Sequence, residues 1–276
     1  MATVRFIDHR SKSPKKQLDR LLQSQESGAF EGKTEFRDSE TLDSLYTSIL
    51  REPFGDDDPE NDLRVRSILG AVVLAANPLS PPAIATLLGF EPEEVYQILS
   101  LVQSLLILQE DLDQPVRPFH KSFPDFIVDP ARCTNQRFRV CPPVQHVELL
   151  GGCLRTMNRE LKRNMCKLPD GVTNSEVIDL KERTKEHISQ VLKYACKSYH
   201  KHLVGTIPAD VGPVLNEFLE KKFLFWLEVL SVLGAAREAV DALEATTRCE
   251  WPDVRRILLF GYFRGFTQVV SRGHRL

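Results

Sequence analysis

Proline and glycine punctuation between residues 63 and 128 constrains this chain more than any other feature. Asn77-Pro78, Ser80-Pro81, Gly89 and Pro92 separate three apolar stripes. The first stripe is Val65, Ile68, Leu69, Val72, Val73 and Ala76, which repeats at helical spacing and predicts a helix over 63–76. Asn77-Pro78 stops it, because the residue before a proline is pushed out of the helical region. Ser80 is placed to cap a short second helix, with Pro81 in the first position, where a missing N–H costs nothing. Gly89 offers that helix a left-handed end. Pro92 opens a third helix with Glu93 and Glu94 facing the positive end of its dipole. Its stripe is Val95, Ile98, Leu99, Val102, Leu105 and Leu106.

Two extended runs follow, Leu106-Ile107-Leu108 and Val116-Arg117-Pro118-Phe119-His120, around a polar turn. They predict a hairpin, with Pro118 favouring an edge. Ser122 and Asp125 have the spacing of a capping box for a last short helix anchored by Phe123, Phe126 and Ile127. Helix, short helix, longer helix, two-stranded ribbon and short helix is the order of a winged helix. The expected fold class is mostly α, a winged-helix domain with a small β wing followed by an α-helical array.

Winged helices often bind DNA through the third helix, and a DNA-binding regulator is the alternative function weighed here. The charges oppose it. Residues 62–129 carry nine acids against four bases, and the third helix has no Lys or Arg. Neutralising phosphates requires those cations. A winged helix that contacts protein fits better, and no nucleic acid is expected as a partner.

The 276 residues allow two or three small domains, expected at 1–60, 61–130 and 131–276. A net charge of −2 gives no pull towards anionic surfaces. The six cysteines form no CxxC pair and read as reduced thiols of a cytoplasmic protein. No signal peptide is legible, and the longest apolar run, 223–233, is too short to span a bilayer, so no membrane contact is expected.

Before the winged helix, Val4, Phe6 and Ile7 form a brief apolar run. Leu18, Leu21 and Leu22 predict one short helix, 23–38 a loop, and Leu42, Leu45, Tyr46, Ile49 and Leu50 a second helix. Two such helices cannot stand alone and need a neighbour to cover them. The acidic run over 55–60 reads as a linker, with Asn61 or Asp62 as the next cap. After residue 131 the pattern is helical. Pro142-Pro143 opens a helix through Val147, Leu150, Leu154, Met157 and Leu161, locally weakened by Gly151-Gly152. A loop over 168–175 precedes the stripe Ile188, Val191, Leu192, Ala195, Cys196 and Tyr199. Pro213 starts a third helix closed by Gly234, apolar nearly all round over 223–233 and therefore expected to be buried. Two more helices are predicted over 235–247 and 253–270.

No catalytic residues are identifiable, and the chain is not expected to be an enzyme. Gly28-Ala29-Phe30-Glu31-Gly32-Lys33-Thr34 ends like a P-loop, but only three residues separate its glycines and no strand precedes it, so it reads as a surface loop. Cys196, His200 and His202 are the one metal-like group. They lack further ligands at sensible spacing and read instead as a helix end, so no metal is expected. Trp226 reads as core. His120 stands just before a helix start, where it would add a donor to any anion held there, or serve as a partly buried structural residue.

The run Arg117-Pro118-Phe119-His120-Lys121-Ser122-Phe123-Pro124-Asp125-Phe126-Ile127 resembles the end of the winged helix in NACHT-type signalling NTPases, especially the large fungal group related to NOD-like receptors. Lys16-Gln17-Leu18-Asp19-Arg20-Leu21-Leu22 and Leu42-Asp43-Ser44-Leu45-Tyr46 resemble the helical subdomain after that family's ATPase core. Phe223-Leu224-Phe225-Trp226-Leu227-Glu228-Val229-Leu230-Ser231 resembles the helical segment before its repeat domains. The family ends its winged helix in Met-His-Asp, whose His contacts the β-phosphate of bound ADP. His120 falls on that position. Phe119 stands for the Met and Lys121 for the Asp, so the resemblance carries over His120 alone, with Asp125 on a later acid. The family's P-loop, Mg-binding acids and nucleotide-binding strands precede the region matched here. The resemblance therefore implies a non-catalytic regulatory fragment with no cofactor of its own. ADP or ATP would be met only with a separate NTPase core, and other contacts would be with a protein partner. A degenerate remnant without activity is the remaining alternative.

Overall fold

The computed structural model describes residues 35–54, 58–205 and 207–248. The elements expected over 4–22, the Gly28 to Thr34 loop and the helix expected over 253–270 lie outside the described residues. The described chain is mostly helical, with one two-stranded ribbon.

Helix α1, Glu35–Arg51, begins inside the stretch read as a loop. Its buried face is Leu42, Tyr46, Ile49 and Leu50. Tyr46 packs against Phe123 and Phe126, with ring centroids 5.5 and 5.2 Å apart. Arg132 pairs with Asp43 through two N–H···O bonds, Nε at 3.0 Å and Nη2 at 2.7 Å. The helix is thus covered by the far end of the module that follows it, which supplies the apolar surface two short helices cannot make alone.

Helix α2 is Pro59–Leu74 and starts four residues earlier than the apolar stripe predicts. Asp58, not Asn61 or Asp62, caps it by accepting from the Asn61 N–H at 3.2 Å, and Pro59 takes the first helical position. Asp62 instead faces inward, onto Arg137. Helix α3, Pro81–Leu88, ends at Gly89 with φ of 78°, a conformation that side chains with a Cβ adopt only under strain. Ser80 holds the cap position, but its hydroxyl makes no cap bond. Helix α4 is Pro92–Leu101 and stops before Val102, so Leu105 and Leu106 of its expected stripe are buried from the connection and from the strand.

The ribbon joins β1, Leu106–Ile107, to β2, Arg117–Pro118, antiparallel, with Leu106 opposite Pro118 and Ile107 opposite Arg117. Two further bonds extend it. The Phe119 N–H donates to the Leu105 carbonyl, and the Val116 N–H donates to the Leu79 carbonyl, each at 2.8 Å. The second tie fastens the ribbon to the entry of α3. Helix α5, Ser122–Val128, completes the order expected from the sequence.

The array begins with α6, Pro142–Glu160, which runs through Gly151-Gly152 without a break. Gly152 is there for approach: a Cβ on it would stand 2.2 Å from the Leu87 carbonyl oxygen. Helix α6 therefore lies directly on α3, and one apolar core runs from Leu42 through Leu87 and Leu150 to Trp226 and Ala242. Helix α7, Leu180–His187, has no apolar stripe to announce it; of its residues only Thr184 is buried. Helix α8 is Gln190–Ser198, capped by Ser189, and passes into a 3-10 turn at Tyr199–His202. Helix α9, Gly212–Glu217, continues through a π turn at Phe218–Lys222 into α10, Phe223–Val232. Phe223, Trp226, Val229 and Leu230 of α10 are buried and Phe225, Leu227 and Val232 are partly buried, while Leu224 is 41% exposed. The segment is apolar nearly all round, as read from the sequence, but the expectation that it is buried is corrected. Helix α11, Ala236–Arg248, closes the described part.

Candidate functional site

His120 lies between β2 and α5, half-buried. Its Nδ1 is 3.2 Å from the Ser122 N–H, which donates to it, and 2.8 Å from the Ser122 hydroxyl. The Ser122 oxygen is in turn 2.7 Å from the Tyr46 hydroxyl. Ser122 therefore does not form the expected capping box with Asp125. It is the first residue of α5, and its side chain is spent linking α1 to His120. An Nδ1 that accepts from a backbone N–H must be unprotonated, which puts the ring proton of the neutral imidazole on Nε2. Among the described residues nothing hydrogen-bonds that Nε2. Asp125 is exposed, and its charge acts on Arg132.

The ribbon that leads into His120 mixes charge and apolar surface. On the ribbon, Ile107 is 44% exposed and Phe119 is 37% exposed. Arg117 and Lys121 flank them and are exposed.

Cys196, His200 and His202 do not converge. Among the described residues no three His, Cys, Asp or Glu side chains gather as a metal site. Cys196 is fully buried, burial pushes its thiol up, and its carbonyl accepts from Trp226 Nε1 at 2.9 Å. Trp226 is core, packed edge-on against Tyr199 and Phe218.

His202 belongs to a group invisible in the sequence. Its Nε2 is 2.8 Å from the Tyr194 hydroxyl, and its Nδ1 is 3.0 Å from Nδ1 of His146. The Ala76 N–H donates to the same Tyr194 oxygen at 3.1 Å. These residues come from just past α2, from α6, from α8 and from the 3-10 turn, with bonded partners up to 118 positions apart. Nothing in local spacing could have joined them. Burial pushes His202 down to about 4, and burial also lowers His146.

Between α2, α3 and α6 lies a cleft of about 210 Å³, lined by Ser67 and Phe90 on one side and by Glu148, Arg155 and Asp210 on the other. Ser67 donates to Glu148 Oε1 at 3.2 Å, and Glu148 Oε2 is buried without a partner among the described residues. Among the described residues no helix is long and apolar enough to cross a membrane.

No protein-family model matches the chain, and no solved structure matches it. The chain is similar to the vegetative incompatibility protein HET-E-1 of the fungus Podospora anserina, with 26% identity over 231 residues. The match takes in 73% of this chain and 16% of that protein. The chain thus spans a small part of the relative's length.

Proposed function

We propose that this chain is a non-catalytic regulatory and interaction module of a NACHT-type signalling NTPase. The module of α2 to α5 acts as a winged helix that closes over a nucleotide held by a separate core, and His120 reports the β-phosphate. The observation that carries this reading is the state of His120. Its Nδ1 is occupied by the start of α5, so its Nε2–H is left as an oriented donor, which is what an anion needs from a neutral imidazole. The similarity to a fungal incompatibility protein supports the same direction. The exposed apolar residues Ile107 and Phe119, with no Lys or Arg on α4, favour a protein partner over a nucleic acid.

Titration calorimetry with ADP tests the first half. The isolated chain should bind ADP weakly or not at all and should hydrolyse no ATP; micromolar binding by the chain alone overturns the reading. Adding the chain to a P-loop-bearing NACHT core loaded with ADP slows nucleotide release, and His120→Ala removes the slowing. Unchanged release with both proteins removes the sensor role.

A further inference from the structure

The hydrogen bonds that join Ala76, Tyr194, His202 and His146 permit one arrangement in which every group is used. The Tyr194 oxygen accepts from Ala76 N–H and its hydroxyl donates to His202 Nε2. His202 then carries its proton on Nδ1 and donates to His146 Nδ1, which leaves the His146 proton on Nε2. This arrangement exists only while both rings are neutral. A proton added to His146 turns its Nδ1 into a donor. His202 must then switch tautomer and donate from Nε2 to Tyr194, whose own proton loses its acceptor at a site only 7% exposed. A second proton, on His202, would set two N–H groups against each other across 3.0 Å.

We propose that this chain of four groups is an acid-opened latch between the ribbon-bearing module and the helical array. The position matters because Ala76 is the first residue past the cap of α2, while the three side chains belong to the array. The groups that act on His202 are neutral or positive ones, His146 from α6 and His200 and Lys201 from the 3-10 turn itself, while Cys153 of α6 faces Tyr194. Glu238 and Asp241 of α11 act on His200 rather than on His202. Among the described residues no carboxylate acts on His202 or His146, so the cost of protonation falls on the latch. The inference is independent of any nucleotide.

The test reads the latch at its backbone end. Amide exchange of Ala76 in the full chain, corrected for the chemical effect of pH, is measured at pH 7.5 and pH 5. The expected result is at least a tenfold loss of protection at Ala76, with Ala75, which donates within α2, changing less than twofold. The double substitution His146→Gln and His202→Gln should abolish the pH effect. Nitrogen chemical shifts of the wild-type histidines give a second readout that needs no variant. They should show His202 as the Nδ1–H tautomer at pH 7.5. Equal protection of Ala76 at both pH values overturns the proposal, and so does an Nε2–H tautomer at His202.

Discussion

Arg137 closes on Asp62 across 75 residues with two parallel N–H···O bonds, 2.9 Å from Nε and 2.8 Å from Nη2. Nη2 also reaches the carbonyl of Phe54 at 3.3 Å. One guanidinium thus holds the start of α2, the end of the segment after α1 and the strap that leads to α6. Both partners are largely shielded, so removing one strands the other.

Arg137→Lys keeps the charge but loses the fork that matches a carboxylate. It should cost about 1–2 kcal/mol, and Asp62→Ala about 2–3 kcal/mol, by urea denaturation at constant slope. A cost below about 0.5 kcal/mol for both would mean that the pair behaves as an exposed one.

Gly151 and Gly152 are neighbours with opposite predicted responses to alanine. A Cβ on Gly152 would meet the Leu87 backbone, which cannot turn aside, so Gly152→Ala should lower stability by about 1–3 kcal/mol. A Cβ on Gly151 would meet the tip of Arg155, which can move, and alanine favours the helix by up to about 1 kcal/mol. Thermal melts of the two variants should therefore shift in opposite directions; parallel shifts would show that α6 does not sit on α3 in this register.

Thiol chemistry should separate the cysteines by place. Cys141 is exposed, whereas Cys133, Cys153, Cys166 and Cys196 are buried. Burial pushes the Cys133 thiol up to about 11 and raises the other three as well. Iodoacetamide at pH 7.5 should label Cys141 at least tenfold faster than these four, followed by peptide mass spectrometry. Comparable labelling of Cys196 would reveal an array that opens readily.

Global stability should depend on pH through His202. Its folded value, about 4, lies below the ordinary histidine value of 6.5, so the unfolded chain takes the proton first. Stability is then complete above about pH 6.5 and falls as the pH drops towards 4, by an amount on the order of 2–3 kcal/mol. Denaturation midpoints at pH 7.5, 6 and 5 check the sign. A rise on acidification would contradict the buried, neutral ring.

Much of the ribbon-bearing module was legible because its boundaries are chemical. Pro81, Gly89 and Pro92 act through φ and a missing N–H, which are local properties. The array was less legible where stability comes from distant partners. Helix α7, with the sequence Leu-Lys-Glu-Arg-Thr-Lys-Glu-His, carries no apolar stripe. Ser122 followed the capping-box spacing, yet Tyr46 and His120 compete for its hydroxyl from outside that window. His120 was singled out through resemblance and through its place before a helix start, and its role stands as a proposal. The His146–His202 contact had no signal at all, since two histidines 56 residues apart pair only after the fold is complete.

The π turn at Phe218–Lys222 fits an additional residue into the long helix that ends at Val232. One residue corresponds to about 100° of helical phase. The wide turn absorbs that residue locally, so the winding before it keeps Leu215 buried and the winding after it keeps Phe223, Trp226 and Leu230 buried. Excising a single position from that turn would let the helix wind regularly and leave the indole in its seat under Cys196, so this short stretch is where the chain can absorb a change of length without disturbing what lies downstream.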